Sequence, residues 1–387
     1  TQKKHIKGQA LAMRGIQYFH LIQNYQQTYA IAKSKRGVIL RTSSDDESHK
    51  GFSTVEEVYT QIVSDLTTAK TLLADYNPDD MWLINSKICS GILARVYLVM
   101  QNWDGAYNEA KIVYDQHSQL MTREQYRSGF DDMISGNYAE VVWAMKYTAD
   151  NNLGGSTQFN FWYNQDASYG EGYADGPIYS FLDYFVDEQF VKLFEEDRYQ
   201  FWKRTNNANT EINTKWAFDK YKHYGEDGGS VIQSATRPEV CLMRGAEMLL
   251  IMAEAAAQKG NSGEALNLLN RLQVARNATP TTNAGGEALL EDIYVERRKE
   301  LICEGQAGFY DLVRLQKRLV RIGESTTNPA GHYVWGMQYL NGYNALDPQP
   351  IGTLESNDYR FFCQIPQMEI LNNDAISESD QNPWSGQ

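Results

Sequence analysis

The sequence predicts a mostly α-helical fold with long irregular insertions and minor β-structure. Three observations carry this. Apolar residues recur at helical spacing through most of the 387-residue chain. One helix–turn–helix pattern occurs twice. Two stretches between helical runs lose that period and turn rich in Gly, Asn, Gln and aromatic residues.

Ala10, Met13, Tyr18, Leu21 and Ile22 approximate one apolar face of a helix from about Gly8 to Gln23. A polar loop, Lys33 to Lys50, follows. Ser53 or Thr54 is the expected N-cap of a helix built on Val55, Val58, Tyr59, Ile62, Leu66 and Ala69. It ends near Tyr76, before Pro78. Ser86 to Met100 and Trp103 to Gln116 then face each other across a short turn. The same arrangement recurs downstream, with Ala94, Asn102 and Ala106 superposing on Ala253, Asn261 and Ala265. The turns read MQNWDGA and KGNSGEA. Small residues let paired helices approach and the Asn-containing turn reverses the chain, so this is a tetratricopeptide-like repeat whose copies are not adjacent.

Asn151 to Gly176 has neither helical nor strand period and reads as a long ordered loop. Helix returns from Ile178 to Glu195. Asn206 to Ser234 is polar, with a short hairpin expected around Trp216 to Tyr224. Four helices follow: Val240 to Lys259, Gly263 to Arg276, Glu287 to Cys303 and Gly308 to Ile322. Glu324 to Tyr359 is a second irregular segment. A strand-like run, Arg360 to Ile365, stops at Pro366, and the polar tail reaches Trp384. The expected organisation is one domain over 1–387. Helical repeats occupy about 8–117 and 237–323, with loop-rich insertions at about 151–236 and 324–359.

Composition narrows the function. Apolar residues make up 42%, enough for a sizeable core. Lys and Arg number 36 against 49 Asp and Glu, a net charge of −13 that repels nucleic acid. The 8 Trp, 25 Tyr and 14 Phe lean towards a binding protein. The most apolar run, Val240 to Ala257, carries Arg244, Glu247 and Glu254, so no membrane span is expected. No signal peptide is visible. A chain opening on Thr1 reads as processed or as a fragment. Cys89, Cys241, Cys303 and Cys363 form no C-x-x-C pair. The first three sit in helical-looking apolar patterns, as buried thiols do.

No catalytic or metal constellation emerges. The paired carboxylates Asp45/Asp46/Glu47, Asp79/Asp80, Asp131/Asp132 and Glu195/Glu196/Asp197 are neighbours in sequence and read as solvated surface, not the opposed pair of a glycosidase. The six His form no H-E-x-x-H pattern. Glu296, Arg297, Arg298, Glu300 and Glu304 read as structural ion-pairing groups, with Arg314 placed to pair with one of their carboxylates. What remains is the aromatic insertions. Sugar rings stack their C–H faces on Trp and Tyr, and Asn and Gln amides offer a donor and an acceptor to hydroxyls. The ligand-binding candidates are Trp162, Tyr163, Asn164, Tyr169 and Tyr173 in the first insertion and Trp335, Tyr339 and Tyr343 in the second. Neighbouring amides include Asn160, Gln165, Gln338 and Asn341. The competing reading is that these aromatics anchor the loops to the helical body.

Several segments resemble the SusD/RagB family of outer-membrane nutrient-binding lipoproteins: GQALAMRGIQYFHLIQNY from Gly8, TVEEVYTQIVSDLTTAKTLL from Thr54, SGILARVYLVMQNWDGAYNEAKIV, RPEVCLMRGAEMLLIMAEAAAQKGN with ALNLLNRLQVAR, and FFCQIPQMEILNN with SDQNPWSGQ near the end. IYVERRKELICEGQAGFYDLVRLQK is the most specific of them. The resemblance spans nearly the whole chain in order. It implies a SusD-like α/α superhelix and a non-catalytic cell-surface protein. Such a protein captures an oligosaccharide or other nutrient and passes it to a SusC-like TonB-dependent outer-membrane transporter, with no cofactor. It also implies a signal peptide, a lipidated N-terminal Cys and a further helical stretch ahead of Thr1, through which the natural precursor would be anchored. Without that stretch, the apolar face of Gly8 to Gln23 stays uncovered unless something else packs there. The alternative is a tetratricopeptide-type scaffold that binds a protein or peptide.

Overall fold

The computed structural model describes residues 1–127, 130, 133–134, 136–146, 202–204, 216–218, 220, 239–302, 304, 307–322 and 350–383. Helices dominate them. Helix α1 (Gln2–Tyr25) is longer than its apolar pattern suggests and buries a partly different face. Gly8, Ala12, Gly15, Ile16, Tyr18, Phe19 and Ile22 are buried, so Tyr18 and Ile22 of the expected face point inward, whereas Ala10, Met13 and Leu21 are exposed. The inward set follows the 3.6-residue period more closely. Its two glycines let α3 (Val55–Leu72) approach: a Cβ on Gly8 would lie 2.7 Å from Leu73 Cγ, and one on Gly15 3.0 Å from Leu66 Cγ. Val58, Ile62, Leu66 and Ala69 of α3 share one core with this inward set, so the expected bare face is covered only in part, with Met13 and Leu21 left exposed.

After a single turn of helix, α2 (Tyr29–Ala32), the polar loop leads to Thr54. Thr54, not Ser53, caps α3. Its Oγ1 accepts from Glu57 N at 3.2 Å, and Glu57 Oε2 accepts from Thr54 N at 2.7 Å. Asn85 caps α4 (Ser86–Val99), and Asn102 opens α5 (Trp103–Tyr114) by accepting from Gly105 N at 3.0 Å. A short α6 (Arg123–Arg127) follows.

Strand β1 (Val141–Lys146) precedes the first insertion, of which β2 (Trp202–Arg204) and β3 (Trp216–Phe218) are described. They pair antiparallel, so the expected hairpin strand at Trp216 finds its partner upstream of the turn region. The helix expected from Val240 does not begin there. Glu239–Arg244 is strand β4, and α7 runs Gly245–Gln258. The run VCLMR alternates buried and half-buried along a strand, and Arg244 stands at the helix N-cap. Buried on nearly every side, α7 packs against α4, α5, α8 (Ser262–Ala275) and α9 (Gly286–Glu300). The repeat is realised in α4/α5 and α7/α8. Ala94, Ala106, Ala253 and Ala265 are fully buried at the crossings, with Asn102 and Asn261 at the second-helix N-caps.

The fourth expected helix is also shorter. Helix α10 covers only Phe309–Arg314, and Leu319–Ile322 forms β5, paired with β6 (Pro350–Leu354). Arg360 to Ile365 is no strand: a 3-10 turn, Tyr359–Phe361, gives way to extended chain that hydrogen-bonds the end of α1. Cys363 N donates to Asn24 O at 2.8 Å, and Asn382 Nδ2 to Tyr25 O at 3.1 Å. Helix α11 (Gln367–Asn372) lies beside α1, and a 3-10 turn, Glu378–Asp380, precedes the last described residues. Cys89 and Cys241 are buried, the latter on β4, and Cys363 is exposed. Cys303, the helix expected over Ile178 to Glu195 and Trp384 lie outside the described residues.

Candidate functional site

Trp162, Tyr163, Asn164, Tyr169, Tyr173, Trp335, Tyr339 and Tyr343 lie outside the described residues. The structure does give the roots of the two segments that carry them. Strands β1 and β4 pair antiparallel with Lys146 opposite Glu239, so the chain leaves for the first insertion and returns as a cross-strand pair. Such partners stand about 4.5–5.5 Å apart at Cα. The second insertion is rooted in the same way, with Ile322 opposite Pro350 in the β5/β6 ladder.

The first root is bolted to the helices by a buried charge cluster. Glu140 precedes β1, Arg244 ends β4, Arg276 follows α8, Glu300 ends α9, and Lys220 reaches in from the insertion. Arg244 Nη1 meets Glu140 Oε1 at 2.7 Å and Glu300 Oε1 at 2.5 Å. Its Nε and Nη2 bind the two oxygens of Glu304 at 2.6 and 2.8 Å, and Nη2 also donates to Glu300 O. Arg276 Nη2 bridges Glu140 Oε2 at 3.0 Å and Glu300 Oε1 at 2.9 Å, with its guanidinium 4.0 Å from the centre of the Tyr126 ring. Lys220 Nζ pairs with Glu304 and donates to the carbonyls of Glu300 and Ile302. Three cations thus face three carboxylates, and the side chains of Arg244, Arg276, Lys220, Glu140 and Glu300 are fully buried.

Burial opposes every charge here, and pairing decides the outcome. Burial works to raise the pKa of Glu304, but Arg244 and Lys220 together hold it below the ordinary carboxylate range. Burial likewise works against the Arg244 charge, but its carboxylates push its pKa well up. At Lys220 burial outweighs the pull of Glu304 and lowers the pKa, with Arg244 as a repelling neighbour. Among the described residues the cluster's charges are matched and its side chains are buried, so it reads as structure. Sequence reasoning had Glu300 and Glu304 as pairing groups and missed Glu140, Lys220, Arg244 and Arg276. The usable signal was Arg244 inside an apolar run. Arg314 pairs elsewhere than expected: it binds Glu254 of α7 at 2.5 and 2.7 Å and Asp311 at 2.7 Å, and Arg297 shares Asp311.

A groove of about 790 Å³ lies between α1, the chain from Arg36 to Arg41, and α11. Its surface is chiefly apolar, with Met13, Leu21 and Met368 exposed along it. Its arginines are tied internally. Arg14 binds Asp65 at 2.6 and 2.7 Å, Arg36 binds Asn382 at 2.5 Å and lies over Phe52, and Arg41 binds the carbonyls of Asp46 and Ser48. Of the paired carboxylates, Asp45/Asp46/Glu47 and Asp79/Asp80 lie in irregular surface chain, and Lys50 and Ser48 pull Asp46 to about 2. Asp131/Asp132 and Glu195/Glu196/Asp197 lie outside the described residues. Among the described residues no group of three or more His, Cys, Asp or Glu is arranged to hold a metal. No described helix is long and apolar enough to cross a membrane.

Residues 187–384 match the SusD family. The chain belongs to it. Residues 1–98 match a SusD-like family described as starch-binding and associating with the outer membrane. The SusD-like protein P38 of Formosa agariphila is 24% identical over 86% of this chain and 70% of its own. Two solved structures from Bacteroides resemble it throughout. A SusD-like carbohydrate-binding protein of B. vulgatus has 26% identity and a TM-score of 0.74, covering 99% of this chain and 79% of that one. A SusD superfamily protein of B. thetaiotaomicron has 26% identity and a TM-score of 0.73, covering 98% and 78%.

Proposed function

We propose that this SusD-family chain is a non-catalytic glycan-binding protein of the outer-membrane surface. It captures an oligosaccharide and passes it to a SusC-like TonB-dependent transporter, against which the helical scaffold packs. A lipid anchor on the natural precursor would hold it there. The single observation that carries this reading is its likeness along the whole chain to a carbohydrate-binding SusD-like protein, at 26% identity and a TM-score of 0.74. The residue chemistry agrees. Trp162, Tyr163, Tyr169, Tyr173, Trp335, Tyr339 and Tyr343 offer faces for sugar rings, and Asn164 with its neighbouring amides offers hydrogen bonds. We read residues 1–387 as one SusD-like domain in which both insertions serve the ligand.

The test is native affinity electrophoresis through gels containing different polysaccharides, with Trp162→Ala and Trp335→Ala alongside. Retardation by at least one glycan, lost in either variant, is expected. Retardation by none, also for the full-length mature protein, would refute sugar capture. The apolar groove along α1 favours a second reading, a scaffold for an apolar peptide. In that case a pull-down would recover a peptide partner while no gel retards the protein.

A further inference from the structure

Helices α4, α7 and α10 end around a cavity of about 250 Å³, with α2 at its side. Its polar lining includes Gln101, Gln258 and Gln316, and its apolar lining includes Trp103, Leu98 and Val99. Gln316 Nε2 donates to Val313 O at 2.8 Å. Gln101 and Gln258 are exposed and Trp103 is half-buried, and among the described residues their side-chain amides and indole N–H are not taken up by protein hydrogen bonds.

Two of these glutamines hold unusual backbone. Gln101 has φ 59° and Gln316 φ 53°. Each follows the C-cap of its helix in a Schellman turn, with Asn102 N bonded back to Tyr97 O at 2.9 Å and Lys317 N to Leu312 O at 3.0 Å. Glycine is the usual residue there, because the left-handed region is unfavourable for a side chain. Two separate helices both place Gln at that position, and both line one cavity. Strained residues of this kind gather where a side chain has work to do. Two more polar atoms nearby lack partners. Gln27 Oε1 and Thr28 Oγ1 are buried without a hydrogen bond, beside a small void of about 10 Å³ that shares Val99 and Arg314 with the cavity.

We propose that this cavity is a binding site for a single neutral sugar ring, distinct from the aromatic insertions. Three amides supply donors and acceptors together, as hydroxyls require. Trp103 supplies an apolar face. Among the described residues no carboxylate lines the cavity, and the charge of Arg314 is already met by Glu254 and Asp311, so neither a cation nor an anion is called for. The space equals the liquid volume of roughly eight waters, enough for one ring and below the roughly 300–1,000 Å³ of pockets for larger ligands. This chemistry is read from the cavity itself and stands whether or not the insertions bind glycan.

The experiment is saturation-transfer NMR with glucose, galactose, mannose and xylose on a Trp162→Ala/Trp335→Ala background, which removes the two candidate tryptophans of the insertions. Transfer to at least one of the four is expected. Adding Gln101→Gly and Gln316→Gly should weaken it about tenfold while Tm stays level or rises, because glycine suits the left-handed turns. Gln258→Ala, at an exposed helix end, should weaken binding without touching either turn. No transfer to any of the four sugars, or transfer undiminished in these variants, would overturn the site.

Discussion

Replacing Arg244 with Met removes one charge from the buried cluster while keeping much of the side-chain volume. The arginine makes five hydrogen bonds: one to Glu140, one to the Glu300 carboxylate, two to Glu304 and one to the Glu300 carbonyl. Without it, three carboxylates face two cations in a site closed to water. Removing one partner of a buried ion pair destabilises by about 3–5 kcal/mol, mainly because the other charge is left buried. We expect a loss in that range, read by urea unfolding under tryptophan fluorescence and circular dichroism with linear extrapolation. The same argument fixes the sign of a second substitution. Glu300→Gln removes the surplus negative charge, so Arg244→Met/Glu300→Gln should be more stable than Arg244→Met alone. A loss below about 1 kcal/mol for Arg244→Met, or a double variant less stable than that single one, would refute the reasoning.

Thr54→Ala breaks the capping box of α3 and should lower stability by about 1 kcal/mol in thermal unfolding. Gly245→Ala should destabilise by about 3 kcal/mol, because its Cβ would sit 2.1 Å from the His117 carbonyl oxygen; Gly263→Ala, with nothing within 4 Å, should stabilise by about 0.5 kcal/mol. Both are checked by the same unfolding curves. Acid should unfold the chain through Glu304 and Asp311, whose folded pKa values are depressed by their cations. Their contribution is complete above the unfolded values of about 4 and is lost as pH falls through the folded ones. The urea midpoint should therefore be level from pH 8 to 6 and fall below about pH 4, and a midpoint that rises on acidification would contradict the assignment.

The helical body was legible because its signals are local. The Thr54 cap and, within each copy of the repeat, the small residues around the Asn102 and Asn261 turns all act within a turn or two of their own sequence. What escaped depends on distant partners. VVWAMK and EVCLMR are short apolar runs whose period does not separate strand from buried helix, and only their pairing makes them strands. Leu319–Ile322 continued a helical pattern but is held extended by Pro350–Leu354, some thirty residues away. Arg314 lay near the charge-rich run in sequence, yet its carboxylates are Asp311 on its own helix and Glu254, sixty residues upstream. The cavity at the helix ends had no signal either, because glutamine is not the residue that marks a left-handed turn.

Lys220 gives the charge cluster an implication for descent. The segment between Lys146 and Glu239 hangs from one cross-strand pair, and lengthening it is thermodynamically mild, about 0.6 kcal/mol per doubling of a flexible loop. A lineage can therefore rewrite that segment, and with it whatever the segment recognises, while the helices stay as they are. One position resists. Among the described residues, Lys220 is the cluster member that the rewritten segment itself supplies, and it balances Glu304 from inside the body. A transplanted segment that fails to return a cation to that spot leaves three buried carboxylates facing two arginines, so the scaffold itself screens which replacements it will accept.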